Sequence, residues 1–259
     1  MDMEPRTGIG TNIEDDLLFD RIASNYVTKD LYKPSRRARK LRLFQTLRKI
    51  KLKSNHDILE IGCGAGFAAT YLRGYYRNYV GIDNSTRLID YAKDLNRYSN
   101  AFFFTEDLYH FSPEKSYDLI FMVGILHHLA DIQKAVKITS SYLKPGGFFV
   151  VNEPQPSNPL LHILRKIRAK VDSHYADEQC ELDEFTLKNT FQKAGLIGLK
   201  SYPQGIFSTP FAEVVIKPEF FINALSRLVC HLDYVLEKKF DRRIKRIAWN
   251  IVVAGRKKF

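Results

Sequence analysis

Three glycines at alternate positions, two aspartates and a pair of histidines are the residues of this chain whose types and spacing could do chemistry. The glycines lie in Asp57-Ile-Leu-Glu-Ile-Gly-Cys-Gly-Ala-Gly-Phe67. The apolar run Ile58, Leu59, Ile61 predicts a buried strand. Gly62, Gly64 and Gly66 then let the backbone turn sharply and approach a ligand where a Cβ would collide. Phe67-Ala-Ala-Thr-Tyr-Leu72 has good helix formers, so the loop should end in a helix N-terminus with unpaired N–H groups. A strand, a glycine turn and a helix in that order make a small-molecule pocket at the carboxyl end of a parallel sheet. A dinucleotide-binding turn would carry G-x-G-x-x-G; here the spacing is E-x-G-x-G-x-G, beginning at Glu60. Tyr79-Val-Gly-Ile-Asp83 reads as a second strand ending in a carboxylate, whose two acceptor oxygens match a cis-diol. A third apolar run, from Ala101, ends at Asp107 and Leu108. His127 and His128 follow a fourth, Tyr117–Val123, where an imidazole can serve as a general base. Either histidine also reads as an ordinary helix-start residue. Glu153, Tyr26 and His174 are further candidates for that role.

The elements that must hold these residues alternate between strand and helix from Asp57 onward, at the pace of a doubly wound sheet. Helices are expected at Ser35–Ile50 (opened by Pro34), Arg87–Asn96 and Glu184–Ala194, the last stopped by Gly195. Lys144-Pro-Gly-Gly147 reads as a turn before a fifth strand, Phe148–Asn152, and Leu196–Tyr202 as a sixth. Two stretches depart from plain alternation. Leu160–Lys170 follows three prolines and has apolar positions 160, 163, 164, 167 and 171 on one face. Phe221, Leu225, Leu228, Val229, Leu232 and Leu236 keep the three-and-four rhythm of an amphipathic helix. That helix either packs over a substrate mouth or faces a membrane surface. Ile247–Ala254 closes the chain as a final strand, and residues 1–12 read as disordered.

Taken together, E-x-G-x-G-x-G at 60–66, the strand-terminal Asp83 and Asp107, and L-K-P-G-G at 143–147 resemble class I S-adenosylmethionine-dependent methyltransferases. Phe19-Asp-Arg-Ile-Ala-Ser-Asn-Tyr26 is similar to a segment of methyltransferases of the quinone-biosynthesis type, which closes over the cofactor. The resemblance runs from about Phe19 to Asn152. It implies an α/β, Rossmann-like, doubly wound seven-stranded sheet whose last strand is antiparallel and inserted between the fifth and sixth. It implies one domain over 13–259: a helical cap at 13–56, a cofactor-binding core at 57–152, and lid segments at 153–182 and 205–245. S-adenosyl-L-methionine is the implied cofactor. Glu60, Gly62, Cys63, Gly64 and Gly66 would wrap its methionine part, Asp83 would take the ribose, and Asn84 would lie beside the adenine. Asp107 would accept from the adenine amino group and the Leu108 N–H would meet the ring. Tyr26 and Val123 complete the implied contacts, with the reacting methyl near the end of the fourth strand.

Bulk properties bound the partners. With 45% apolar residues and a mean hydropathy of -0.27, the 259-residue chain can bury one sizeable core. No apolar run reaches bilayer length and the acidic start is unlike a signal peptide, so a cytoplasmic protein is expected. Three cysteines without paired spacing argue against a disulfide framework and a zinc site, and no other metal-ligand spacing occurs. The net charge of +11 is concentrated in the flanks: +6 over 1–56, -1 over 57–204 and +6 over 205–259. Such flanks suit an anionic membrane surface, nucleic acid or an acidic substrate. Methylation of an amide or adenine amino group would call for an N-P-P-Y-like turn where Val123-Gly-Ile-Leu stands. Cytosine C5 chemistry would need a cysteine near the fourth or fifth strand. A small-molecule or lipid-like acceptor is therefore the expectation; an RNA methyltransferase and a non-catalytic cofactor-binding protein stay open beside it.

Overall fold

A computed structural model describes residues 23–24, 27–156 and 182–259. Tyr26, His174, Cys180, the N-terminal twelve residues and the amphipathic stretch Leu160–Lys170 lie outside the described residues. The described elements run α1 (Lys33–Thr46), β1 (Asp57–Ile61), α2 (Phe67–Tyr71), β2 (Asn78–Asp83), α3 (Thr86–Leu95), β3 (Ala101–Thr105), β4 (Tyr117–Val123), α4 (Ile132–Ser141), β5 (Leu143–Pro154), α5 (Glu184–Lys193), β6 (Leu196–Gln204), α6 (Thr209–Glu213), α7 (Glu219–Lys239) and β7 (Asn250–Lys257). A short 3-10 turn at Leu126–His128 follows β4.

The strands form one seven-stranded sheet in the order β3-β2-β1-β4-β5-β7-β6. β1 to β5 are parallel to one another, and β7 runs antiparallel between β5 and β6. β1 is buried at every position, as expected of a central parallel strand covered on both faces. Its alternate residues feed two cores. Leu59 and Ile61 join Ile120, Met122, Phe149 and Phe191 on one face, while Ile58 joins Tyr79, Leu119, Phe121 and Val150 on the other. Helix starts follow their side chains: Ser85, Asp131 and Asp183 each accept a backbone N–H from three residues on. The turn expected at Lys144–Gly147 is instead part of β5, which starts at Leu143 and carries a register irregularity against β4 between Tyr117 and Leu119. The glycines bend the strand there without ending it, since Gly146 has φ +76° and a Cβ on Gly147 would stand 2.9 Å from the Tyr117 carbonyl.

That irregularity carries Lys144 to the amino end of the sheet, opposite the glycine turn. Its Nζ donates to Asp57 (3.0 Å) and Asp118 (2.7 Å). Asp57 also accepts from Arg77 Nε (3.1 Å) and Asn78 Nδ2 (2.8 Å), and its backbone N–H donates to Asp118. Burial pushes the Asp57 carboxyl up, but the hydrogen bonds from Arg77, Asn78 and Lys144 outweigh it and hold the group well below the usual carboxylate range. At the other edge, α7 is turned polar side inward. Asp233 accepts backbone N–H groups from Ile206, Phe207 and Ser208. Glu237 accepts from the Gly205 N–H (2.6 Å) and pairs with Arg48 (3.0 Å) of the turn after α1.

Replacing Asp57 with alanine should cost about 2–3 kcal/mol in urea unfolding at neutral pH, because three cations, Arg77, Lys115 and Lys144, and the half-buried Asn78 amide lose their acceptor. A carboxyl whose folded value is depressed stabilises above its unfolded value and loses that contribution as pH falls through the folded one. The gap between native chain and variant should therefore hold from neutral pH down to the ordinary aspartate range, narrow progressively below it, and close only in stronger acid. A gap that closes already at mildly acidic pH would contradict this assignment.

Candidate functional site

The glycine turn sits at the carboxyl ends of β1 and β2. The N–H groups of Gly62 and Cys63 both donate to the Ile82 carbonyl (2.8 and 3.0 Å), which keeps the turn on β2 after the strand pairing stops. Gly62 has φ +73°, and a Cβ there would stand 2.3 Å from the Ile125 side chain. Gly64 has φ +51° and nothing within 4 Å of its Cβ position. The turn therefore presses inward at Gly62 and opens outward at Gly64, the shape a bound molecule needs for close approach to backbone. α2 behind it has only five residues, so the backbone of the turn itself, more than a helix end, defines the cradle.

Asp83 clasps this turn. One carboxylate oxygen accepts the Gly64 N–H (2.8 Å) and the other the Ser85 N–H (3.0 Å). A carboxylate offers about four acceptor sites, more than these two N–H groups take up. Asp107 lies just past β3, where the Glu106 N–H donates to the Asp83 carbonyl and Asp83 pairs with Thr105 in register. The two aspartates thus stand at the ends of adjacent strands, as expected. Asp107 also builds its own turn, accepting the Tyr109 N–H at 2.6 Å, and Leu108 is buried in the core. Asn84 and Val123 are half-buried at the same carboxyl edge.

Glu60 and Cys63 face inward. Glu60 is buried beneath the turn and bonded to the Tyr79 hydroxyl; burial pushes its carboxyl up to about 8. Cys63 is buried under Gly81, and burial pushes its thiol up, which leaves it a poor nucleophile. Ala23 and Val27, the described neighbours of Tyr26, pack with Ala65 of the turn and Leu88 of α3. Ala23 and Val27 thus lie against the glycine turn.

At the end of β4 the structure adds a relation that residue spacing does not show. Glu153, on β5, is fully buried. Its Oε1 accepts the N–H groups of Ile125 (3.2 Å) and Leu126 (2.9 Å), and its Oε2 stands 2.6 Å from His127 Nδ1. Glu153 thereby shapes the turn that carries His127 and fixes the ring. With Nδ1–H donating to Glu153, Nε2 is the basic nitrogen. His128 lies against the same ring, centroids 4.1 Å apart. The only signal of this in the sequence is a carboxylate just beyond the apolar run 148–151.

The backbone cradle and clasp fit an uncharged or cationic ligand rather than a phosphate: Gly62–Gly66 holds no lysine or arginine, and the clasping group is an anion. Comparison with known proteins agrees. A family model described as a methyltransferase domain matches residues 32–200. The uncharacterized methyltransferase YcgJ of Bacillus subtilis is 30% identical over 115 residues, 42% of this chain and 45% of that protein. The ubiquinone biosynthesis O-methyltransferase of Coxiella burnetii is 28% identical over 130 residues, 47% of this chain and 55% of that one. The aligned part spans about half the length of these relatives. Among solved structures, a SAM-dependent methyltransferase of Thermotoga maritima, described as a possible histamine N-methyltransferase, superposes with a TM-score of 0.66 at 19% identity, covering 94% of this chain and 99% of that one. The chain belongs to the methyltransferase-domain family and has the class I S-adenosylmethionine-dependent fold.

Proposed function

We propose that this chain is an S-adenosylmethionine-dependent methyltransferase acting on a small-molecule or lipid-like acceptor. The observation that carries the reading is the Asp83–Gly64 clasp beside the open side of Gly64. Bound there, the cofactor supplies an electrophilic methyl on a sulfonium. In this reading Gly62, Cys63, Gly64 and Gly66 line the methionine part with backbone, and Glu60 supports the turn from beneath through Tyr79. Asp83 holds the ribose diol. Asn84, Asp107 and Leu108 bound the base, and Val123 and Tyr26 close the sides. Transfer from a sulfonium is an in-line displacement, so the chain contributes chiefly by aligning the acceptor at near-attack distance.

A general base is needed when the accepting atom carries a proton at neutral pH. His127 is the group for that role: Glu153 orients its ring and would stabilise the imidazolium formed as Nε2 takes the acceptor's proton, the arrangement by which a buried carboxylate serves a catalytic histidine elsewhere. His128, packed at a tilt against the same ring, is the second candidate. A relative named for O-methylation in ubiquinone biosynthesis and one named as a malonyl-[acyl-carrier protein] O-methyltransferase, from Ilyobacter polytropus and 30% identical over 139 residues, support an oxygen acceptor on a small or tethered molecule.

Calorimetry with S-adenosylhomocysteine should show Asp83→Ala weakening binding by about 1–3 kcal/mol, the worth of hydrogen bonds to a charged group; equal affinity would remove Asp83 from the site. His127→Asn should lower turnover about 100-fold or more while leaving cofactor affinity within a few-fold, and Glu153→Gln should fall in the same direction. Full turnover in His127→Asn would assign the histidine a structural role. Incubating the chain with methyl-labelled cofactor and whole-cell extract should put label in the lipid or aqueous small-molecule fraction. Label in RNA would contradict the proposed acceptor class, and cofactor binding with no label anywhere would contradict catalysis.

A further inference from the structure

α7 is an amphipathic helix mounted with its polar side to the protein. Its buried residues are Ser226, Cys230, Asp233 and Glu237, spaced by four, three and four. Each polar one is engaged. Ser226 meets Arg37 of α1, Asp233 caps the loop at 206–208, and Glu237 binds Gly205 and Arg48. The outward stripe is apolar: Phe221 is 70% exposed, Leu225 45%, Leu228 56% and Leu232 41%. These positions also repeat at four, three and four, so they form one line along a helix of 21 residues. The neighbouring Phe220 is 82% exposed. Burying the outward row is normally what an amphipathic helix gains by folding; here the inward side is held by two carboxylates and a serine, with only a small apolar contact of Ile222, Val229 and Cys230 against Ala38, Phe211 and Ala212. The apolar side is left for something outside the described residues.

The charge around the stripe selects the occupant. Arg227 and Lys238 project beside it, and Lys239, Arg242, Arg243 and Arg246 continue from its end, all exposed. Among the described residues none of these six has a carboxylate within ion-pair distance. Of the helix's carboxylates, Asp233 and Glu237 are turned inward and Glu219 lies in the first turn. The outward face thus offers hydrocarbon bordered by uncompensated cations. That pattern belongs to a helix lying in the interface of an anionic bilayer, apolar side among the acyl chains and cations at the headgroups. No helix among the described residues is long and apolar enough to cross a membrane, so the helix would rest on the bilayer rather than span it. Nucleic acid would satisfy the cations and leave the leucines in water. A second copy would cover the leucines and leave the cations without partners.

We propose that α7 and the basic segment after it dock the protein onto an anionic lipid surface. This stands apart from methyl transfer. The test is cosedimentation of the full chain with vesicles of phosphatidylcholine and phosphatidylglycerol, against vesicles of phosphatidylcholine alone, with sedimentation velocity of the chain without lipid. The native chain should bind the mixed vesicles, bind pure phosphatidylcholine weakly, and lose binding as salt rises. The combined variant Phe221→Ser, Leu225→Ser, Leu228→Ser should reduce binding about tenfold or more, and Arg242→Glu with Arg243→Glu about tenfold. All five positions are exposed, so circular dichroism should match the native chain. Absence of vesicle binding, equal binding to both lipid compositions, or binding unchanged in either variant would overturn the proposal. So would a self-associated native species that the serine variant dissociates, since a second copy would then cover the stripe.

Discussion

Everything at the carboxyl edge of the sheet depends on one carboxylate. Asp83 ends β2, and its two oxygens hold the Gly64 and Ser85 N–H groups on either side. It can do so because β1 and β2 are adjacent parallel strands and the turn after β1 stays hydrogen-bonded to the Ile82 carbonyl. Release that clasp and the loop loses the restraint that keeps Gly64 open outward. The N-cap at Ser85, which starts α3, is set by the same carboxylate. The local fold and the candidate cofactor cradle are therefore one structure.

Buried carboxylates recur as organisers across this molecule, each with a different partner set. Asp57 at the opposite end of the sheet is charged and held by cations. Asp233 gathers three backbone N–H groups of one loop. Glu153 divides its oxygens between two N–H groups of the 3-10 turn and the His127 ring. A buried carboxylate persists only where its oxygens are satisfied. Such groups accordingly mark where backbone must be pinned in a defined shape, and one of those places, the 3-10 turn held by Glu153, carries the proposed base.

Much of the sheet is legible in the sequence because each parallel strand is a short apolar run with a distinctive end. Ile61 stands before the glycines, and Asp83 and Val123 stand at the carboxyl edge. The insertion of β7 between β5 and β6 follows from family resemblance; apolar alternation in 247–254 alone says nothing of strand order. The expectation of a turn at Lys144–Gly147 fails for a physical reason. Two glycines and a proline ordinarily end a strand, but here pairing with β4 and the reach of Lys144 to Asp57 and Asp118 carry the strand through. At α7 the helical rhythm is visible in the sequence but its mounting is not. Hydrophobic periodicity is expected to point inward, and only the tertiary partners of Asp233 and Glu237 show that Phe221, Leu225, Leu228 and Leu232 point out. The link from Glu153 to His127 is invisible to spacing, since 26 residues separate them and only adjacency of β4 and β5 brings them together.

The most direct measurement is a crystal structure of the chain with S-adenosylhomocysteine. The methionine part is expected along the open side of Gly64, the ribose hydroxyls on the Asp83 carboxylate with the Gly64 N–H bond kept, and the base toward Asp107. A ligand seated elsewhere, or a ribose that leaves Asp83 untouched, would contradict the central role given to that carboxylate.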